Sequence, residues 1–192
     1  MAEQKEKKEN PRIVKTAPCR LSYANIWEPK SIKGSDPKYS VSVIIPKSDK
    51  KTLEKVNAAI QAAYDEGKNI LQGKSKNPPS LASLKTPLRD GDVDRPDDEA
   101  YKEAYFINAN KTTAPKIFDL NVKPITDEEE VYSGCYARVL LSFYAFAKDV
   151  NKGIAAGLEG IQKVRDGEHL NGSVDAEDEF SDGFEDEQGF LD

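Results

Sequence analysis

Between Cys135 and Lys148 the chain alternates with a period of two, and this stretch limits the fold more than any other. Cys135, Ala137, Val139, Leu141, Phe143, Ala145 and Ala147 are all apolar. Successive side chains of an extended strand point to opposite faces, so the pattern predicts a long β-strand with this set facing a core. The other set is Tyr136, Arg138, Leu140, Ser142, Tyr144, Phe146 and Lys148. Rings interleaved with cations suit one strand of nucleic acid, because unpaired bases stack on rings while Lys and Arg neutralise phosphates. The same pattern is compatible with a sheet buried on both sides, with Arg138 and Lys148 reaching solvent at its ends. A bulge would shift the register and reshuffle the two faces.

Shorter signals surround this strand. Lys38 to Ile45 puts Tyr39, Val41, Val43 and Ile45 on one face and Ser40 and Ser42 on the other, and Ile44 is the one break. Arg20 to Trp27 and Tyr101 to Ala109 read as strands, and Lys116 to Val122 as a short extended piece. Gly134 to Lys148 reads as the longest strand. Asn151 to Val164 reads as a last, glycine-bent strand, since Gly153, Gly157 and Gly160 weaken a helix there. One helix is expected from Lys50 to Glu66, capped by Ser48 or Asp49 and stopped by Gly67. Its apolar stripe is Leu53, Val56, Ile60, Ala63 and Tyr64. The stretch 72–100 is rich in Gly, Pro, Ser and Asp and reads as a long loop of the kind that often carries function. Several strands with one helix between early strands predict a mainly β fold, a small and strongly bent barrel.

The formal charge of −6 argues at first against an anionic ligand, but its distribution reverses the argument. From Asp175 to Asp192 there are nine acidic residues and no Lys or Arg, so residues 1–174 keep 28 basic and 25 acidic side chains, a net of +3. A mildly basic body with a concentrated acidic tail implies that the tail can compete with an anionic ligand. The tail also carries Phe180, Phe184, Phe190 and Leu191 at intervals, and ends Phe190-Leu191-Asp192. Acid interspersed with apolar anchors is a composition that docks partners, while its low hydrophobicity leaves it without a core. The expected organisation is a disordered arm over 1–11, a folded domain over 12–170 and a disordered acidic tail over 171–192.

Several chemistries are disfavoured. A single histidine, His169, argues against His-based metal sites and Ser/His/Asp triads. No phosphate-binding GxxxxGK[ST] loop is present, and the glycines after residue 150 follow no dinucleotide fingerprint. Asp90, Asp92 and Asp94 resemble the start of a calcium loop, which would then need glycine at Arg95 and glutamate at Tyr101. Together with Asp97, Asp98 and Glu99 they supply enough oxygens for a metal-dependent nuclease, unless they are solvated or paired with Arg89 and Arg95. Cys19 and Cys135 form no CxxC pair and read as reduced, small apolar residues. Met1 to Asn10 is mostly charged, without the apolar region of a signal peptide, and no apolar run approaches the ~18 residues of a membrane span. A soluble, intracellular protein without cofactor or catalytic residues is expected.

Several long motifs occur in order: Tyr23-Ala-Asn-Ile-Trp-Glu-Pro29, Asp36-Pro-Lys-Tyr-Ser-Val-Ser-Val-Ile-Ile-Pro-Lys47, Pro87-Leu-Arg-Asp-Gly-Asp92, Arg95-Pro-Asp-Asp-Glu-Ala-Tyr101 and Tyr105-Phe-Ile-Asn-Ala-Asn110. Tyr132-Ser-Gly-Cys-Tyr-Ala-Arg138, Phe143-Tyr-Ala-Phe146, Asn151-Lys-Gly-Ile-Ala-Ala-Gly-Leu158 and Asp166-Gly-Glu168 follow. Over about Pro11 to Glu179 the chain resembles the phage-encoded OB-fold single-stranded-DNA-binding proteins, long filed as a domain of unknown function. The resemblance implies an OB-fold barrel and sequence-independent binding of single-stranded DNA in phage replication, recombination or repair. It also implies no catalysis, an acidic tail that recruits replication or recombination proteins, and work in a bacterial host's cytoplasm. From the residues themselves, the rings expected to stack bases are among Trp27, Tyr39, Tyr105, Tyr136, Tyr144 and Phe146. The cations expected at phosphates are Lys38, Arg89, Lys111, Arg138 and Lys148. Phe184, Phe190, Leu191 and Asp192 are the expected partner-docking residues. Tyr23 and Phe106 are further candidate rings. Two other classes stay open: a replisome recruitment module that barely touches DNA, and the nuclease. No membrane partner is expected, and a homo-oligomer is compatible with the sequence.

Overall fold

The computed structural model describes residues 9–31 and 33–170. The strands are β1 (Ile13–Lys15), β2 (Cys19–Lys30), β3 (Lys38–Pro46), β4 (Leu88–Asp90), β5 (Ala104–Lys111), β6 (Lys116–Phe118), β7 (Tyr136–Lys148) and β8 (Asn151–Arg165). The helices are α1 (Lys50–Gln72) and the single turn α2 (Gly91–Asp94). Hydrogen bonding runs β7–β2–β3–β5–β8, and β8 returns to β7, so five strands close on themselves. Closure removes the exposed strand edges that would otherwise template aggregation. The β5–β8 pair is parallel and the other four junctions are antiparallel. β1 and β6 lie outside the ring, on β7 and β8. This is the mainly β barrel that the alternating patterns predict.

The core forms where period-two strands turn their apolar faces inward. Leu21, Val43, Ile45, Ile107, Ala109, Val139, Leu141, Phe143, Leu158 and Ile161 are buried in one cluster. Val56, Ala59, Ile60 and Ala63 of α1 join that cluster, and the helix packs chiefly on β7. Asp49 starts α1: its carboxylate accepts the Thr52 amide at 3.2 Å, satisfying one of the donors that a helix start leaves free. The helix does not stop at Gly67 but runs to Gln72, with Gly73 after it. Gly67 is buried, and a Cβ there would lie 2.1 Å from Ala145 Cβ. Its glycine is a packing requirement, not a stop signal.

Other expectations are corrected in the same way. β8, not β7, is the longest strand, and its glycines sit at close approaches instead of breaking it. A Cβ on Gly153 would meet Lys85 O at 2.4 Å, and one on Gly157 would meet Ser142 Oγ at 2.5 Å. β2 continues through Glu28 and Pro29 to Lys30. The extended piece at Lys116 ends at Phe118, and Val122 lies in a turn at φ +60°. Tyr101 is not in a strand: it ends a short 3-10 turn, and its ring is fully buried. With Ile44, Ala104 and Phe106 it forms a second cluster, so the break at Ile44 marks a covered patch on the outside of the barrel. The 72–100 segment is what covers it. Its last part begins with β4, which pairs with β5 in the sheet, and leads into the turn that ends at Tyr101, forming a strap.

Candidate nucleic-acid interface

β7 divides its side chains as alternation demands. Cys135, Ala137, Val139, Leu141 and Phe143 are buried, while Tyr144 is 41% exposed and Leu140 38% exposed. The division fails only at the far end, where Ala147 is exposed because the β7–β8 hairpin has run past the core. Along the outer face the neighbours on β8 are small: Gly160 opposite Leu140, Gly157 opposite Ser142, Ala155 opposite Tyr144 and Gly153 opposite Phe146. β8 therefore sets no bulky side chain directly beside these rings. Lys148 is exposed at the hairpin end, beside a cavity of about 350 Å³ whose lining includes Lys85, Val150, Asn151 and Lys152.

At the other end of β7, two guanidinium groups approach the Tyr136 ring, with Arg165 Cζ 4.1 Å and Arg20 Cζ 5.9 Å from its centre. Arg138 Nη1 donates to Gln162 Oε1 at 3.3 Å, which holds it across the β7–β8 pair. Midway, Ser142 Oγ donates to Glu159 Oε1 at 2.7 Å, and Lys111 Nζ bonds the other Glu159 oxygen at 2.5 Å. The Lys111 bond is the main reason that the Glu159 carboxyl titrates below its usual range. Lys111 thus enters the face already paired. Tyr39 stands opposite Lys111 in the β3–β5 register and is half-buried, and Lys38 is exposed at the start of β3, opposite Lys30.

The remaining candidates are less open. Trp27 packs against the core and its Nε1 donates to Val131 O at 2.9 Å. Tyr105 also packs against the core, with Lys47 Nζ 5.2 Å from its ring. Arg89 is exposed but donates to Asp94 at 2.9 Å, with its guanidinium over Phe106. Phe106 itself is fully buried. The structure thus brings Tyr136, Arg138, Tyr144, Phe146 and Lys148 together on one face. Lys111 joins it through Glu159, Tyr39 stands beside Lys111 on the neighbouring strand, and Trp27, Tyr105 and Arg89 stand apart from it. Phe184, Phe190, Leu191 and Asp192 lie outside the described residues.

The acidic strap spends its carboxylates locally. Asp90 accepts the Asp92 amide, Asp98 accepts the Ala100 amide, and Asp94 pairs with Arg89. Lys47 Nζ lies 2.8 Å from Asp90 and 2.7 Å from Asp92, and Asp92 also accepts the Glu103 amide at 2.9 Å. These bonds push the Asp92 carboxyl down and the Lys47 ammonium up. Among the described residues, no three His, Cys, Asp or Glu side chains converge as metal ligands would. Cys19 and Cys135 are free and buried, and burial raises the Cys19 thiol to about 11.

Sequence reasoning missed three arginines. Arg20 shares the outer face of β2, which alternation with the buried Cys19 and Leu21 could have revealed. Arg165 extends β8 one residue beyond the expected end. Arg95 was expected to pair with a neighbouring carboxylate. Instead its guanidinium lies 4.9, 5.1 and 5.5 Å from the rings of Tyr23, Tyr101 and Phe106.

Comparison with known proteins gives three consistent findings. Residues 12–191 match the family described as the ssDNA-binding protein of Enterobacter phage Enc34. A putative protein p50 of Acyrthosiphon pisum secondary endosymbiont phage 1 is 30% identical over 178 residues, covering 88% of this chain and 92% of its own. The solved single-stranded DNA-binding protein of bacteriophage Enc34 has a similar fold. Its C-terminal truncation superposes with a TM-score of 0.69 at 23% identity, over 83% of this chain and 88% of that one. Its complex with ssDNA gives 0.68 at 24%, over 83% and 89%.

Proposed function

The chain belongs to the family of the Enterobacter phage Enc34 ssDNA-binding protein, and from that premise we propose that it binds and protects single-stranded DNA without reading its sequence. The observation that carries this reading is the outer face of β7, where Tyr136, Tyr144 and Phe146 share a side with Arg138 and Lys148, and where Tyr144 and Phe146 stand opposite only Ala155 and Gly153 of β8. Rings take the π-faces that every base offers, and cations take phosphates, so affinity is indifferent to sequence. The process served is phage DNA replication, recombination or repair, in the cytoplasm of the bacterial host. Among the described residues no helix is long and apolar enough to cross a membrane.

The folded unit in this reading is 12–170 and the acidic segment 171–192 is its regulatory tail. The tail recruits replication or recombination proteins through Phe184, Phe190, Leu191 and Asp192, and its carboxylates compete with DNA phosphates. Leu170, the last described residue before it, lines a cavity with Ser22 and Tyr23 of β2. A non-catalytic role fits the strap, whose Asp90, Asp92 and Asp94 are spent on amides, Lys47 and Arg89.

The test is titration of labelled oligo-dT with wild type, Tyr144→Ala and a combined Arg138→Gln, Lys148→Gln variant. Loss of one stacking platform lowers affinity about tenfold, within the range of roughly 1–3 kcal/mol per stacked base. Removing two phosphate contacts lowers the slope of log affinity against log salt by roughly 1.4 units. Variants that bind like wild type would remove β7 from the interface.

A further inference from the structure

Tyr23 is the most exposed ring among the described residues' large hydrophobics, at 54%, yet it lies inside β2. Its backbone is in the left-handed region, φ +46°, at a register shift of the β2–β3 pair between Ser22 and Asn25. A bulky side chain is rarely found there, and such a conformation persists only where its surroundings hold it. They do so here. The Ala24 amide donates to the buried Ser133 Oγ at 2.9 Å, and Asn25 Nδ2 donates back to Tyr23 O at 3.2 Å. The bulge turns the ring out of the barrel wall, whereas Trp27 in the same strand is tied down to Val131.

Arg95 reaches the ring from the strap. Its guanidinium lies 4.9 Å from the Tyr23 centroid, and Nη1 donates to Tyr23 Oη at 3.3 Å. Tyr101 and Phe106 flank it on the barrel side. Three rings fix its direction, and among the described residues no carboxylate forms a salt bridge with it, although the strap around it is acidic. Beside the pair opens a cavity of about 290 Å³ lined by Ser22, Tyr23, Asp98, Ala100 and Leu170. A strained, outward ring, an unneutralised and immobilised guanidinium, and an open cavity between the strap and β2 are the parts that a nucleotide site needs.

We propose that Tyr23 and Arg95 form a subsite for one unpaired nucleotide, with the base stacked on the Tyr23 ring and its phosphate at the Arg95 guanidinium. The subsite rests on the single-strand reading above and extends the DNA path from β7 onto β2 and the strap. Arg20 links the two, since it is paired with Tyr136 of β7 in register and lies in the same strand as Tyr23. The strap then acts as one wall of the path rather than as a cover for β5 alone.

The experiment uses the full chain. Oligo-dT carrying 5-iododeoxyuridine is crosslinked by light and the attached peptides are mapped. In parallel, wild type, Tyr23→Leu, Tyr23→Phe and Arg95→Gln are titrated with oligo-dT over a salt series. A crosslink on Tyr23 is expected, with about tenfold weaker binding by Tyr23→Leu and most of that loss recovered by Tyr23→Phe. Arg95→Gln should lower the salt slope by roughly 0.7, which a purely structural latch would not do. Crosslinks confined to β7, with Tyr23→Leu within about twofold of wild type, overturn the subsite and leave the β7 interface standing. Absence of oligo-dT binding by the wild type overturns both.

Discussion

Gly67 sets how closely α1 approaches the barrel. Alanine is the better helix former by about 0.8–1 kcal/mol, so in an open helix the substitution would stabilise. Here the added Cβ meets Ala145 Cβ at 2.1 Å, and overpacking of this kind costs about 1–3 kcal/mol. We therefore expect Gly67→Ala to lower Tm by several degrees, at roughly 2–4 °C per kcal/mol for a domain of this size. The double variant Gly67→Ala, Ala145→Gly should recover most of it. An unchanged or raised Tm in the single variant would mean that α1 sits farther from β7. The glycine was visible in the sequence but its reason was not, because a helix stop and a close contact leave the same letter. The glycines of β8 are the same case. They weaken a strand read in isolation, yet two of them mark places where Lys85 and Ser142 come too near for a side chain.

Among the elements, β7 was legible and the strap was not. Strict alternation identifies both faces of β7, and Tyr136, Arg138, Tyr144, Phe146 and Lys148 do share a side. Trp27 and Tyr105 were less legible, because an aromatic in a strand reads the same whether it stacks on bases or on the core. The strap was illegible because its structure is made by caps and ion pairs rather than by periodicity, so Arg95 looked like one more partner for acid. Its anchor is the bond of Lys47 to Asp90 and Asp92. Those bonds lower the Asp92 pKa below the ordinary 3.8, so the stabilisation is complete above that value and drains away as pH falls through the lowered one. Hydrogen exchange at the Glu103 amide, which Asp92 accepts, should speed up on acidification below about pH 4, beyond the intrinsic pH dependence. Lys47→Met should speed it at neutral pH and flatten the acid response. Exchange indifferent to both changes would mean that the strap is held by Tyr101 and Phe106 alone.

At the scale of the molecule, charge is divided between a body of net +3 and a tail with nine acids. Net charge alone would have rejected a DNA-binding role, and only the distribution permits it. If the tail competes with phosphates, a chain ending at residue 172 should bind oligo-dT several-fold more tightly than the full chain at low salt. The gap should narrow as salt screens both contacts. Equal affinities at every salt concentration would limit the tail to partner docking.

The most direct measurement is fluorescence anisotropy of labelled oligo-dT and of a duplex of equal length, titrated with the full chain at low and moderate salt. The account predicts tight binding to the single strand that weakens steeply with salt, and much weaker binding to the duplex, whose stacked bases cannot reach the rings. Equal affinity for both, or no affinity for oligo-dT at either salt concentration, would contradict it.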